Sequence, residues 1–199
     1  MPHSDAHEDL VAHAARLIVE EGLDYAGAKR RAAQALGQGK RSALPSNEIL
    51  EDAVREYLAI FCADTQPQEL AALRELAVQW MERLEAFRPL LGGAVWNGTA
   101  TRLSDLHLSL FVDDPKALEI WLIDHRHRYQ ASRVTGFQGR EVDRLSVSVP
   151  CPALGEHVGL HLYVYARDDD RGALLPDGRR GAVRGDLRAL RQLIANDDD

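Results

Sequence analysis

Up to Pro89 the apolar positions recur at helical spacing. Leu10, Val11, Ala14, Leu17 and Ile18 form one stripe, with Ser4 as N-cap and Gly22, which lacks a Cβ, as the stop. Asp24 caps a second helix through Ala28, Ala32 and Leu36, closed by Gly37. Pro45 and Ser46 open a third, with Ile49, Leu50, Ala53, Val54, Tyr57, Leu58 and Phe61 on one side. Thr65 followed by Gln68 makes a capping box for a fourth, which carries Leu70, Leu73, Leu76, Ala77, Trp80, Leu84 and Phe87 and stops before Pro89.

Beyond Pro89 the period changes. Leu90 to Trp96 is a short apolar run with two glycines, Gly92 and Gly93. Leu106 to Val112 alternates, with Leu106, Leu108 and Leu110 on one face and Asp105, His107 and Ser109 on the other. Asp114-Pro115 is a cap and a helix-starting proline for a helix to about His125. Arg140 to Val149 and His157 to Tyr165 read as a strand pair across a loop bearing Pro and Gly. Pro176-Asp177-Gly178 is a turn, and Leu187 to Ile194 a closing amphipathic helix. The expected class is α+β. Residues 1–88 form a helical bundle, 89–175 a small mixed-sheet core with flanking helices, and 176–199 a turn and helix.

Composition narrows the partners. A net charge of -7 disfavours broad binding to nucleic acid or anionic membrane. Two cysteines, Cys62 and Cys151, make neither a disulfide framework nor a thiolate metal site, which suits a reducing cytoplasm. Pro2 to Leu10 lacks the apolar core of a signal peptide, and no apolar run approaches membrane-spanning length, so no membrane partner is expected.

The chemistry concentrates between Gly93 and Leu108. Period-two geometry puts Asp105 and His107 on one strand face, and the glycine turn before them lets backbone N–H groups approach a phosphate. Gly93-Ala94, then Gly98-Thr99-Ala100-Thr101, then Ser104-Asp105-Leu106-His107 resembles the signature of the polymerase-β-like nucleotidyltransferase superfamily, in a bacterial branch. That family reads Gly-Ser, Gly-Thr-Ala-Thr and Ser-Asp-hydrophobic-Asp at the same spacing. The likeness covers residues 88 to 166 and includes the order helix, strand, loop, acidic strand, helix, further strands. It implies a nucleotidyltransferase-like sheet and a nucleoside triphosphate partner. Gly93, Ala94, Gly98, Thr99 and Ser104 would sit around the phosphates, and Asp105 and His107 would act in catalysis.

Two positions depart from the signature. Ala94 stands where the family has Ser, and His107 where it has a second carboxylate. Imidazole favours zinc, manganese or iron over magnesium. A third ligand belongs on a later strand, where His161 and Tyr163 share the polar face and no carboxylate stands. Two readings follow: a site of Asp105, His107 and His161 re-specified for Mg, Mn or Zn chemistry, or a nucleotidyltransferase fold whose metal site is degenerate and whose role is binding or regulation. The degenerate site is the favoured expectation, with an active metal-dependent enzyme that moves a nucleoside monophosphate onto a hydroxyl as the alternative.

The helical half resembles the start of tetracycline-repressor-type regulators, through Ala14–Gly22 and Pro45-Ser46-Asn47-Glu48-Ile49-Leu50. The stretch Gly39 to Leu44 is too short for the recognition helix that a major-groove reader inserts, so DNA binding is the weaker alternative. Lys29, Arg30, Arg31, Lys40 and Arg41 read as a solvated face. Arg179, Arg180 and Arg184 are a candidate phosphate clamp, with a solvated tail as the plainer account.

Overall fold

The computed structural model describes residues 2–37, 44–172 and 183–197. Lys40, Arg41, the turn at 176–178, Arg179 and Arg180 lie outside them. The chain divides by contacts into Met1–Pro67 and Gln68–Asp199. The sequence reading placed the change at Pro89. The fourth helix shows Leu73, Leu76, Ala77, Trp80, Met81 and Leu84 to the sheet's core, so by contacts it goes with the strands.

The first unit holds α1 (Pro2–Glu21), α2 (Tyr25–Ala35) and α3 (Asn47–Phe61). Leu10, Ala14 and Leu17 meet Ala28, Ala32, Leu50, Val54 and Leu58 in one core, and the alanines let the helices approach closely. Asp24 caps α2 as expected, its Oδ1 accepting from the Gly27 amide at 2.7 Å, and Ser46 caps α3 through Ile49 at 3.2 Å. Ser4 lies within α1, which already begins at Pro2, so it is not the cap. Buried Lys29 donates to Asn47 Oδ1 at 2.7 Å, and its burial lowers its pKa.

The second unit runs α4 (Gln66–Arg83), β1 (Leu90–Gly92), α5 (Gly93–Asn97), β2 (Leu106–Val112), α6 (Lys116–Asp124), β3 (Tyr129–Thr135), β4 (Glu141–Cys151), β5 (Glu156–Ala166), β6 (Arg184–Gly185) and α7 (Leu187–Asp197). The α+β class is as expected. The fourth helix ends at Arg83, and a short 3-10 turn over Glu85–Phe87 completes the run expected to be helical. Three elements were not foreseen: α5 in place of a glycine turn at the end of the apolar run, the edge strand β3, and the two-residue β6.

The strands order β3-β4-β5-β2-β1-β6. The β2–β5 pair is parallel and the other pairs are antiparallel. Its register sets Leu106 beside Leu160, His107 beside His161 and Leu108 beside Leu162, so apolar meets apolar and polar meets polar across the strands. Leu106, Leu108, Leu110, Leu145, Val147, Leu160 and Leu162 fill one face with α4, Leu118 and Leu122 of α6, and Leu190 of α7. Fully burying one such side chain contributes about 1.5–3 kcal/mol. The opposite face carries Asp105, His107, Ser146, His161 and Tyr163, all partly exposed. Among the described residues, no helix is long and apolar enough to cross a membrane.

The Trp96 ring fills the space over Gly185, where an added Cβ would sit 2.1 Å from the indole. Gly185→Ala is expected to lower stability by about 1–3 kcal/mol through overpacking. Denaturant unfolding of the two proteins checks it, and equal midpoints would count against this close approach.

Candidate functional site

Adjacent strands bring the site residues together. Asp105 precedes β2, and His107 is the second residue of that strand; His161 lies beside His107 on β5, and Ser146 lies beside His161 on β4. Period two then aims all four side chains at the same face. Asp105 Oδ2 lies 2.9 Å from His161 Nε2, and Asp105 Oδ1 accepts from the Gly159 amide at 3.0 Å. His161 Nδ1 lies 2.9 Å from Ser146 Oγ. The His107 ring stacks on His161 with centroids 5.0 Å apart. His107 Nδ1 lies 2.9 Å from the Tyr163 hydroxyl. Burial raises the pKa of the Tyr163 phenol, and the charge of Arg144 beside it opposes that rise.

Space over Gly159 is part of the arrangement. A Cβ there would lie 2.5 Å from Asp105 Oδ1, so the carboxylate occupies the place of a side chain. Hydrogen bonding to His161 leads the causes that hold the Asp105 pKa below the usual carboxylate value. An ionised carboxylate only accepts, so His161 carries a proton on Nε2; in the neutral ring its Nδ1 then accepts from the Ser146 hydroxyl. For His107, burial disfavours the imidazolium, the neighbouring His161 adds to that, and the pKa falls to about 4.

The remaining candidates fall in different places. Gly93, at φ +72°, opens α5, and its missing Cβ faces His107 Cδ2 at 3.3 Å. Ala94 packs against the core. Gly98 closes α5 in the left-handed region, and both its amide and that of Thr99 donate to the Ala94 carbonyl. Those two amides therefore cap a helix, in contrast to the expected phosphate cradle. The Thr99 hydroxyl is buried without a hydrogen-bond partner. Ser104 Oγ accepts from the Thr101 amide at 3.0 Å and closes the turn before β2. Outside this cluster, Asp143 on β4 is exposed and paired with Arg133.

A cleft of about 320 Å³ opens beside this network. Gly93, His107, Tyr163, Tyr165, Phe137 and Arg184 line it, whereas Asp105 and His161 stand next to it without lining it. Arg184 lies over the Phe137 ring at 4.8 Å, and Tyr165 accepts the Phe137 amide at 3.2 Å. Of the three clamp arginines read from sequence, Arg184 is in the cleft. Phe137, Tyr165 and Ser146 were not singled out in the sequence, because only strand pairing gathers them here.

Magnesium takes several oxygen ligands. Asp105 is the single carboxylate in this cluster, and both its oxygens are engaged within the protein, as are both nitrogens of His161. These residues do not fit a magnesium ion. Among the described residues, no group of three or more His, Cys, Asp or Glu is arranged to hold a metal. No protein-family profile, curated protein or solved structure matches this chain.

The depressed His107 pKa links stability to pH. Between an ordinary value near 6.5 and about 4, the unfolded chain binds a proton at this position that the folded chain refuses. Stability from this group is therefore complete above the window and falls as pH drops through it, by at most about 1.4 kcal/mol per pH unit. Urea unfolding at pH 7 and pH 4.5 is expected to show a larger loss for the wild type than for His107→Gln. Equal losses would refute the assignment.

Proposed function

We propose that the second unit is a nucleotidyltransferase-like domain without the family's metal chemistry, and that its cleft binds a nucleotide or a similarly built phosphorylated aromatic ligand. The observation that carries this is the double engagement of Asp105. A metal-dependent transferase needs that carboxylate open toward its ions; here it orients a histidine. The cleft supports the rest of the reading. Tyr163, Tyr165 and Phe137 offer ring faces and edges to a base, and Arg184 offers a guanidinium to phosphate oxygens. His107 stays neutral at physiological pH, so it meets the ligand as a hydrogen-bonding group and not as a cation.

The test is thermal stabilisation by nucleoside triphosphates with Mg²⁺, Mn²⁺, Zn²⁺ or EDTA. A hundredfold excess over the dissociation constant stabilises a folded protein by about 2.7 kcal/mol. The expected outcome is stabilisation that survives EDTA and is reduced about tenfold or more in apparent affinity by Arg184→Ala, the loss of one charge-assisted contact. Stabilisation that requires a divalent metal would support the active transferase instead. No shift with any nucleotide would overturn the binding role.

A further inference from the structure

We infer that Ser146, His161 and Asp105 form a metal-independent nucleophilic site that attacks carboxylic esters, a site distinct in chemistry from nucleotide binding. The geometry is a continuous chain. Ser146 Oγ lies 2.9 Å from His161 Nδ1, His161 Nε2 lies 2.9 Å from Asp105 Oδ2, and Gly159 anchors the second carboxylate oxygen at 3.0 Å. Each member has the role such catalysis requires. Asp105 fixes the tautomer, His161 turns its lone pair toward the hydroxyl, and the hydroxyl is left as the group to be deprotonated.

Access is the second argument. The opposite face of the sheet is sealed by helices, yet Ser146 stands on the open face between the exposed residues Gln130 and Ser148. The His161 side chain is 17% exposed and that of Asp105 is 46% exposed. A nucleophile there meets solvent and substrate without an opening motion. Arg144, two residues earlier on the same strand face, donates from Nε to Ser132 Oγ at 3.2 Å, and its positive charge favours negative charge developing on that face.

The step balances without a co-reactant other than water. Ser146 Oγ bonds to the ester carbonyl carbon while its proton moves to His161 Nδ1. The carbon–oxygen bond to the alcohol breaks, and His161 returns the proton to the leaving alkoxide. Water then attacks the acyl-serine as His161 takes its proton, the acyl carbon–Oγ bond breaks, and His161 returns the proton to Ser146 Oγ as the carboxylic acid leaves. Ser146 and His161 are the catalytic residues, and Asp105 is a positioning residue.

The full-length protein is tested with a fluorophosphonate probe and with p-nitrophenyl acetate, and the modified residue is located by mass spectrometry. Labelling is expected at Ser146, lost in Ser146→Ala and unchanged in Ser148→Ala. His161→Gln is expected to slow labelling about 100-fold or more, the usual contribution of a general base. Asp105→Asn should slow it as well and shift the His161 ring ¹⁵N resonances from one tautomer to a mixture, which a merely structural role would leave unmoved. Failure of the wild type to label at Ser146 overturns the inference whether or not the variants fold. So does a folded His161→Gln protein, verified by circular dichroism, that labels at the wild-type rate.

Discussion

The in-register parallel pairing of β2 with β5 is the constraint on which the second unit depends. Parallel strands need a crossover connection, and α6, β3 and β4 lie in that interval. A shift of one residue would turn Leu106, Leu108, Leu160 and Leu162 outward and bury both histidines. The large apolar surface under the helices therefore holds the polar side in place. His107 and His161 stack because the leucines beside them have somewhere better to be.

That division explains why the polar network is well connected. Partly buried imidazoles and a phenol need partners, since an unpaired polar group in such surroundings costs about 1–3 kcal/mol. Asp105 and Ser146 provide them for His161, and His107 and Tyr163 provide them for each other. The arrangement that satisfies the sheet face also orders hydrogen bonds along it, with the Asp105 carboxylate accepting from His161 at one end and the Ser146 hydroxyl bonded to the same ring at the other.

Much of this was legible in the chain and some was not. The alternation in Leu106–Val112 and in His157–Tyr165 is strong because one face is fully covered, so both strands and their polar faces could be read directly. Asp24 and Ser46 were legible as caps because capping is a local act of one side chain. β3 was hidden because it is an edge strand with no fully buried position, and β6 because two residues carry no period. α5 was obscured by its glycines, which read as a turn. Ser146 looks like any strand serine until β4 is laid against β5; its partner is fifteen residues away in sequence and adjacent only through that ladder. The membership of α4 was obscured for a related reason. A helix's apolar stripe says that it packs, and not against what.

Gly159 gives the polar face an unexpected permanence. Placing a second acid at position 107 would not by itself create a two-carboxylate metal site, because Asp105 would remain tethered through one oxygen to the backbone of residue 159 and through the other to residue 161. Freeing it means changing partners on a different strand. A route from this network to a metal centre thus has to change β2 and β5 together, and evolutionary drift or design in that direction meets both strands at once.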